Sequence, residues 1–321
     1  MKFNFFKRHM QKLECSVIIP VFNEKEGIKD FLQSIYEQTR HPNEIIVIDG
    51  GSTDGTYEYL QTQEKQGKLK AYKHPSNIAQ ARNFAIQKTK HEIILCTDAW
   101  CKVDKHRCEE IMHIYETTQE LVVGGKSELL GENAFQKKAK LRFISADPNF
   151  HFISSRNISF HKRIREEVEW YPEYLTKRWE DTYFNYKIEQ AGYKIFYCPT
   201  AIVSRHMGKD YKAFYTMYRN YTQGDAEVYM IHHIIQSGSY KQAILGTLVG
   251  GILLSCILYF PRYSGEIVLV SLVGIGLYKR SPGGFWFDLK FSIGKLLGTI
   301  IGFRKGIYTG YTIKKTIKKA K

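Results

Sequence analysis

Acidic and amide side chains follow apolar, β-branched runs of this sequence, at the points where buried strands would end. Asn23 follows the run SVIIPVF, Asp49 closes the run EIIVID with Asp54 in the turn after it, and Asp98 follows HEIILCT. Groups of this kind that converge on one edge of an α/β sheet can hold a nucleotide or a divalent cation. Because turns are also rich in Asn and Asp, each residue alone indicates only a turn. The set favours a nucleotide site.

A second pair of acids, Glu180 and Asp181, opens a helical pattern in RWEDTYFNYKIEQ. A carboxylate beside a reacting hydroxyl can accept its proton, and two adjacent carboxylates raise each other's pKa, which suits a base. The alternative is a pair of acids at a helix N-terminus, stabilised by the helix dipole. From these residues alone, the helix-end interpretation is favoured.

The elements that position these side chains alternate between strand and helix patterns over the first hundred residues. This alternation predicts βαβ units, and so an α/β fold with a mostly parallel sheet and helices on both faces. The later half is more mixed. We predict a strand over 121–130, a strand leading into a short helix over 152–164, and a helix followed by a final strand over 178–206.

Composition limits the partners. The chain of 321 residues has 47 basic and 32 acidic residues, a formal net charge of +15. This excess suggests a polyanionic partner: nucleic acid, an anionic membrane surface or a phosphate-bearing substrate. No nucleic-acid-binding motif occurs, so no nucleic-acid partner is expected. The six cysteines form no zinc-binding pattern and indicate free thiols in a reducing compartment.

The C-terminal part changes character. Two apolar runs, 243–260 and 265–278, predict a two-pass membrane hairpin, a re-entrant or interfacial pair, or two buried core helices. Residues 285–303 predict an amphipathic helix at a membrane surface. From Lys279 onward there are 11 basic residues and one acid, which fits a cytosolic flank on anionic membrane lipids. The basic segment 1–13 lacks the long apolar core of a signal peptide.

Five blocks carry a family resemblance: SVIIPVFNE, EIIVIDGGSTDGT, SNIAQARNFAI, EIILCTDAW and WEDTYFNYKIEQAGYKI. Their order and spacing resemble those of family 2 glycosyltransferases over residues 14–225, with 226–321 left as a membrane-associated helical region. The resemblance implies a GT-A fold, a nucleotide-sugar donor, a divalent cation (Mn²⁺ or Mg²⁺) and inversion at the anomeric carbon.

The resemblance also implies roles for the residues at the strand ends. Pro20, Asn23, Glu24 and Asp49 match the family's base- and ribose-binding positions, and Arg82 matches an arginine near the nucleotide phosphates. Asp54 is expected to cap the following helix instead.

Asp98 occupies the first position of the family's Asp-x-Asp motif, but Trp100 replaces the second acid. The segment TDAWC resembles a variant in which TDAGC stands at this place. Asp98 is expected to hold the cation together with the diphosphate, and His206 is the candidate for a further ligand. Alternatively, the cations Arg205, Lys209 and Arg219 neutralise the leaving group without a metal.

The resemblance makes Asp181 the general base and Glu180 its neighbour in the site. Trp170 and Trp179 precede these acids, in a cluster with Tyr171 and Tyr174. Their rings are expected to stack on the acceptor sugar or to pack in the core.

The leading hypothesis is an inverting glycosyltransferase. It would move a sugar, most simply from a UDP-sugar, to a lipid-linked or saccharide acceptor in cell-surface glycan synthesis. The expected location is the inner membrane, with the catalytic domain on its cytoplasmic face. Two alternatives stay open: a polyprenyl-phosphate glycosyltransferase and a non-catalytic scaffold that binds sugar or lipid. A nucleotidyltransferase is disfavoured, because PVFNEKEG after the first strand lacks the glycine-rich phosphate loop of that class.

Overall fold

The computed structural model describes residues 13–140, 153–175, 178–232 and 285–320, with side chains described over 297–318 in the last range. The strands are β1 (Cys15–Val21), β2 (Glu44–Asp49), β3 (Lys70–Lys73), β4 (Ile93–Cys96), β5 (Cys101–Val103), β6 (Val122–Leu130), β7 (Ile158–His161) and β8 (Phe196–His206). The helices are α1 (Ile28–Tyr36), α2 (Thr56–Lys65), α3 (Ile78–Lys88), α4 (Arg107–Thr117), α5 (Ala134–Lys140), α6 (Glu180–Gln190), α7 (Tyr211–His232) and α8 (Phe285–Ala320). The strands form one sheet in the order β3-β2-β1-β4-β7-β6-β8-β5.

The central strand β1 lies between β2 and β4, and all three run parallel. Every residue of β1 is buried, as its uninterrupted apolar run predicts for a strand covered on both faces. Val21 at the end of β1 lies opposite Asp49. Because the carboxyl ends of parallel strands meet at one edge, Asp49 and Asp98 are brought to the same edge of the sheet. The prediction that Asp49 and Asp98 lie at or just after the ends of parallel strands, at the same end of the sheet, is confirmed.

Helices cover both faces of the sheet, as predicted. One apolar cluster joins Val17 and Ile19 of β1 to side chains such as Leu32 of α1. The other joins Ile18 of β1 to side chains such as Phe184 of α6. Alternate residues of β1 therefore enter opposite clusters, as the two-residue period of a strand requires.

The second half of the sheet is antiparallel, which differs from the mostly parallel sheet predicted. β7 pairs antiparallel with β4 and β6, and β5 pairs antiparallel with β8. β5 has three residues, too few to give a periodic signal in the sequence. Its register places Arg205 of β8 opposite Cys101. A residue late in the chain thus reaches the segment that follows Asp98.

Contacts divide the chain into two units. The first contains the sheet, α1 to α4, and α6 from Asp181 onward. The second contains α5, the segment 174–180, α7 and α8. Residue 225, the predicted end of the catalytic domain, lies within the continuous helix α7, and the units change after His206. The predicted domain bounds stay a prediction.

In the second unit, α8 packs along α7 through glycines spaced four residues apart. Gly298, Gly302, Gly306 and Gly310 each face backbone or Cβ atoms of α7. A four-residue spacing keeps them on one side of the helix, where the lack of side chains permits close approach of the backbones. The sequence predicts helix over 285–303, whereas the structure continues it to Ala320.

No helix in the described ranges is long and apolar enough to cross a membrane. The two predicted membrane segments, 243–260 and 265–278, lie outside the described residues.

Candidate functional site

The loops after β1 and β2 form one polar structure at the carboxyl edge of the sheet. Asp49 is fully buried, and its Oδ1 accepts hydrogen bonds from the amides of Gly51 (3.1 Å) and Ser52 (3.0 Å). The amide of Asn23 donates to Ser52 Oγ (2.8 Å), and Asn23 Oδ1 accepts from the Thr53 amide (2.9 Å). These bonds tie the ends of β1 and β2 together. The contacts of Asn23 and Asp49 with a nucleotide stay a prediction.

Residues around this loop have distinct roles. Pro20 is buried within β1. Burial, with a smaller contribution from Asp54, raises the pKa of Glu24. Asp54 accepts from the amides of Lys25 and Thr56, both at 3.0 Å, which confirms its structural role at the start of α2. Phe22, which the sequence reasoning missed, is 58% exposed beside Asn23 and offers an aromatic face at this edge.

Asp98 forms a buried ion pair with Arg82. Arg82 Nη2 donates to Asp98 Oδ1 at 2.7 Å, and the two residues are 1% and 3% exposed. The guanidinium of Arg82 also lies over the Tyr171 ring, 5.2 Å from its centroid. Asn77 caps α3 with a capping box and so fixes the start of the helix that presents Arg82. Arg82 thus has a carboxylate partner at the position where the resemblance implies phosphate binding.

Trp100, at the position where the resemblance implies a second acid, contacts two cationic side chains. The guanidinium carbon of Arg156 lies 5.2 Å from the centroid of the Trp100 indole, and that of Arg205 lies 5.6 Å from it. Both distances are within the range of cation–π attraction, which is strongest for tryptophan. Arg205 was predicted as a candidate cation for the leaving group, whereas Arg156 was not.

Four consecutive buried residues, Ser154 to Asn157, join the parts of this site. Ser154 Oγ donates to Asp181 Oδ2 (3.0 Å), and Ser155 Oγ donates to the Tyr171 hydroxyl (2.9 Å). Asn157 donates to the carbonyls of Lys126 and Ala201 and accepts from Arg107 Nε, each at 2.8 Å. This polar turn, which includes a 3₁₀ turn over Ser155–Asn157, precedes β7. Its partners are distant in sequence, so the local pattern predicts only a strand and a helix there.

Asp181 is half-buried near the start of α6. Its Oδ2 accepts from Ser154, and its Oδ1 accepts from the Thr182 amide at 2.9 Å. No cation pairs with its carboxylate in the described part of the chain. Glu180 is the first residue of α6 and is buried. The two acids therefore occupy a helix start, and Asp181 is also tied to the polar turn.

The aromatic candidates for the acceptor site have packing contacts in the structure. Trp170 packs on Phe160 (5.6 Å between centroids) and on Phe184 (6.3 Å). Trp179 is 8% exposed, and its indole nitrogen donates to the carbonyl of Tyr221 at 3.2 Å within the second unit. Acceptor binding by either tryptophan stays a prediction.

A divalent cation at the predicted position would have few protein ligands among the described residues. They contain no group of three or more His, Cys, Asp or Glu side chains that could hold a metal ion. Asp98 offers one carboxylate, already paired with Arg82, and His206 is exposed at the end of β8. A divalent cation held by Asp98 and His206 stays a prediction. Of the alternative cations, Lys209 and Arg219 belong to the second unit.

Comparison with known proteins shows the family of this chain. The sequence profile described as "Glycosyl transferase family 2" matches residues 16–204. The O-antigen chain rhamnosyltransferase RfbN of Salmonella typhimurium is 24% identical over 60% of this chain and 66% of its own length. The glycosyltransferase AglE of Haloferax volcanii is 24% identical over 68% of this chain and 75% of its own length.

Two further proteins are similar over different extents. The poly-beta-1,6-N-acetyl-D-glucosamine synthase of Staphylococcus epidermidis is 26% identical over 60% of this chain, which covers 50% of that synthase. Among solved structures, residues 1–349 of S. aureus TarS in complex with UDP align with a TM-score of 0.50 and 17% identity. That alignment covers 96% of this chain and 92% of the TarS chain. The likeness to TarS supports the fold.

Proposed function

Because the chain belongs to glycosyl transferase family 2, we propose that it moves a sugar from a UDP-sugar to a lipid-linked or saccharide acceptor, with inversion. The names of its relatives support sugar transfer: a rhamnosyltransferase acts in O-antigen synthesis and a synthase makes a poly-N-acetylglucosamine. The complex of TarS with UDP supports UDP as the nucleotide of the donor. A cell-surface glycan is the product we propose.

The observation that carries the proposal is the difference between two carboxylates. Asp98 is neutralised by Arg82 at 2.7 Å. Asp181 is half-buried, oriented by Ser154 and the Thr182 amide, and has no cationic partner among the described residues. Carboxylates in environments this different suit different tasks. Asp98 suits donor binding, and Asp181 suits acceptance of a proton.

In the proposed reaction, the acceptor hydroxyl attacks the anomeric carbon from the face opposite the diphosphate. A bond forms between the acceptor oxygen and the anomeric carbon while the bond from that carbon to the diphosphate oxygen breaks. The electron pair of the broken bond stays on the diphosphate. Asp181 takes the hydroxyl proton, while Ser154 Oγ and the Thr182 amide, which donate to its two oxygens, hold the carboxylate in place. Inversion follows from a single displacement.

We place the protein on an anionic membrane surface, with the catalytic unit in the cytoplasm. The support comes from α8, whose exposed side chains include Leu297, Ile301, Tyr308 and Tyr311. Lys315 is exposed on the same helix. At 100° per residue, these positions lie on the side opposite the packed glycines. Apolar and aromatic residues mixed with lysine are typical of a helix that lies on a lipid surface.

The substitution Asp181→Asn tests the proposal. It keeps the shape of the side chain and removes the base, so transfer should fall about 100- to 10,000-fold while UDP affinity is retained. Product formation would be measured from a panel of UDP-sugars, with polyprenyl-diphosphate-linked saccharides and polyprenyl phosphate as separate acceptors. Glu189→Gln, an exposed acid on the same helix, is the matched control and should transfer at the wild-type rate.

Wild-type turnover by Asp181→Asn on a saccharide acceptor would refute Asp181 as the base. Activity of the wild-type protein on polyprenyl phosphate alone, with little loss in Asp181→Asn, would instead support the polyprenyl-phosphate glycosyltransferase. An acceptor phosphate is already ionised and needs little help from a base.

A further inference from the structure

We propose that Arg156, stacked with Arg205 on the indole of Trp100, binds the diphosphate of the donor and carries the charge of the leaving group. This inference rests on the proposed function, since it assigns part of the donor site. It also explains why a tryptophan stands where the family places a second acid: the ring holds protein cations at the position of a metal ligand.

The first support is the burial of Arg156 without a counter-charge. Arg156 is 7% exposed, and its Nε is buried and makes no hydrogen bond. No acidic side chain in the described ranges forms an ion pair with it. A buried guanidinium nitrogen in this state is costly, because the Nε has lost its hydration without gaining a hydrogen bond. An anionic ligand that arrives during function would supply the missing partner.

The second support is the local charge around Cys101, the residue that follows Trp100. Burial raises the pKa of the Cys101 thiol to about 12, and Asp98 contributes in the same direction, whereas Arg156 and Arg205 oppose it. The thiol therefore lies within electrostatic reach of all three side chains. Asp98 is already neutralised by Arg82. The guanidinium of Arg156, 5.2 Å from the centroid of the Trp100 ring, therefore supplies positive charge beside that ring.

The third support is the link between Arg156 and the proposed base. Arg156 stands two residues after Ser154, which donates to Asp181. Asn157, the next residue, is held by Arg107 and by the carbonyls of Lys126 and Ala201. One buried turn therefore fixes both the group that takes the proton and the group that faces the diphosphate. Displacement needs these two groups on opposite sides of the anomeric carbon, at a fixed separation.

The chemistry suits arginine. A guanidinium presents a planar set of N–H donors that matches two phosphate oxygens, and its charge persists at all physiological pH values. When the bond to the anomeric carbon breaks, the electron pair remains on the β-phosphate oxygen. A cation already in place stabilises that charge without rearrangement. Trp100 attracts the guanidinium through its π face without consuming its hydrogen-bond donors.

The test compares UDP with uridine. The dissociation constant of each would be measured by calorimetry on the full chain in detergent with EDTA, for wild type, Arg156→Met and Arg156→Lys. We expect Arg156→Met to weaken UDP binding about 10- to 100-fold and to leave uridine binding unchanged. Arg156→Lys keeps the charge but not the planar donors, so its loss should be intermediate. Arg163→Met, an exposed arginine in the next turn, should match wild type.

A second pair of variants addresses Trp100 itself. Trp100→Phe keeps an aromatic face and should retain most of the UDP affinity. Trp100→Asp places a carboxylate against Arg156 and Arg205, so UDP affinity in EDTA should fall at least about tenfold.

The outcomes separate this inference from the proposed function. If wild type binds UDP and Arg156→Met binds it equally well, or loses UDP and uridine to the same extent, the role of Arg156 is refuted. If wild type binds UDP only with Mn²⁺, the inference is also refuted, whereas the glycosyltransferase proposal stands. If wild type binds neither UDP nor another nucleoside diphosphate, the proposed function itself fails.

Discussion

The substitution Gly302→Ala tests the packing of α8 on α7, because two effects of opposite sign act at this position. A Cβ at Gly302 would overlap the carbonyl oxygen of Arg219 in α7. At Gly298 the nearest atom to such a Cβ would be the Tyr215 carbonyl oxygen at 2.9 Å, a milder conflict. Without the neighbouring helix, alanine in place of glycine would stabilise α8 by about 1 kcal/mol through helix propensity.

The cost of the steric overlap should exceed the gain in helix propensity. Forcing one carbon into a filled contact costs about 1–3 kcal/mol, and at Gly302 the obstacle is backbone, which cannot rotate away. Because the overlap with backbone is severe, the cost should lie at the upper end of this range, so we expect a net destabilisation of about 2 kcal/mol for Gly302→Ala. Gly298→Ala should lower the free energy of unfolding by less than Gly302→Ala does. Lys305→Ala, at an exposed site on the same helix, should stay within about 0.5 kcal/mol of wild type.

Urea denaturation of the full chain in detergent, followed by circular dichroism, gives the midpoints and slopes for these variants. A midpoint for Gly302→Ala equal to or above that of wild type would refute the reasoning. It would mean that α8 gains the helix propensity of alanine without meeting α7. The order of stabilities, Lys305→Ala above Gly298→Ala above Gly302→Ala, is the sharper check, because a general loss of helix would not produce it.

Two further predictions concern charge and lipid. Arg82→Met leaves the buried carboxylate of Asp98 without its partner and should lower the free energy of unfolding by about 3–5 kcal/mol. Combining it with Asp98→Asn in a double-mutant cycle should recover part of this loss, whereas strictly additive effects would contradict a coupled pair. The full chain should sediment with anionic vesicles and not with zwitterionic ones, less so at high salt, and replacement of Tyr308 and Tyr311 by serine should weaken this binding; equal sedimentation with both vesicle types would count against an anionic lipid surface.

The parallel half of the fold could be predicted because its signals are local. β1, β2 and β4 are apolar runs that leave little choice of structure, and Asp49 and Asp98 follow from where these runs end. Asn77 likewise begins α3 with a cap whose partner is three residues away. Patterns of this kind are complete within one short segment of sequence.

The contacts of Arg156 and Arg205 with Trp100 could not be predicted, because they join residues that are far apart in the sequence. Arg156 meets Trp100 across 56 residues of chain, and Arg205 meets the same ring through the pairing of β8 with the three-residue strand β5. The sequence places Arg82 on a suitable face of α3, but it does not say that Asp98 is the group it meets. Only the tertiary structure distinguishes an arginine that is already paired from one that is not.

The charged residues of the site differ in whether they form an ion pair among the described residues. Arg82 and Asp98 neutralise each other as a buried ion pair. In the proposed reaction, Asp181 accepts the proton of the acceptor and Arg156 binds the anionic diphosphate. A UDP-sugar carries that anion, whereas uridine does not. An acid at position 100, where the resemblance implies one, would lie against the guanidinium of Arg156 and would compete with the diphosphate that we propose binds there.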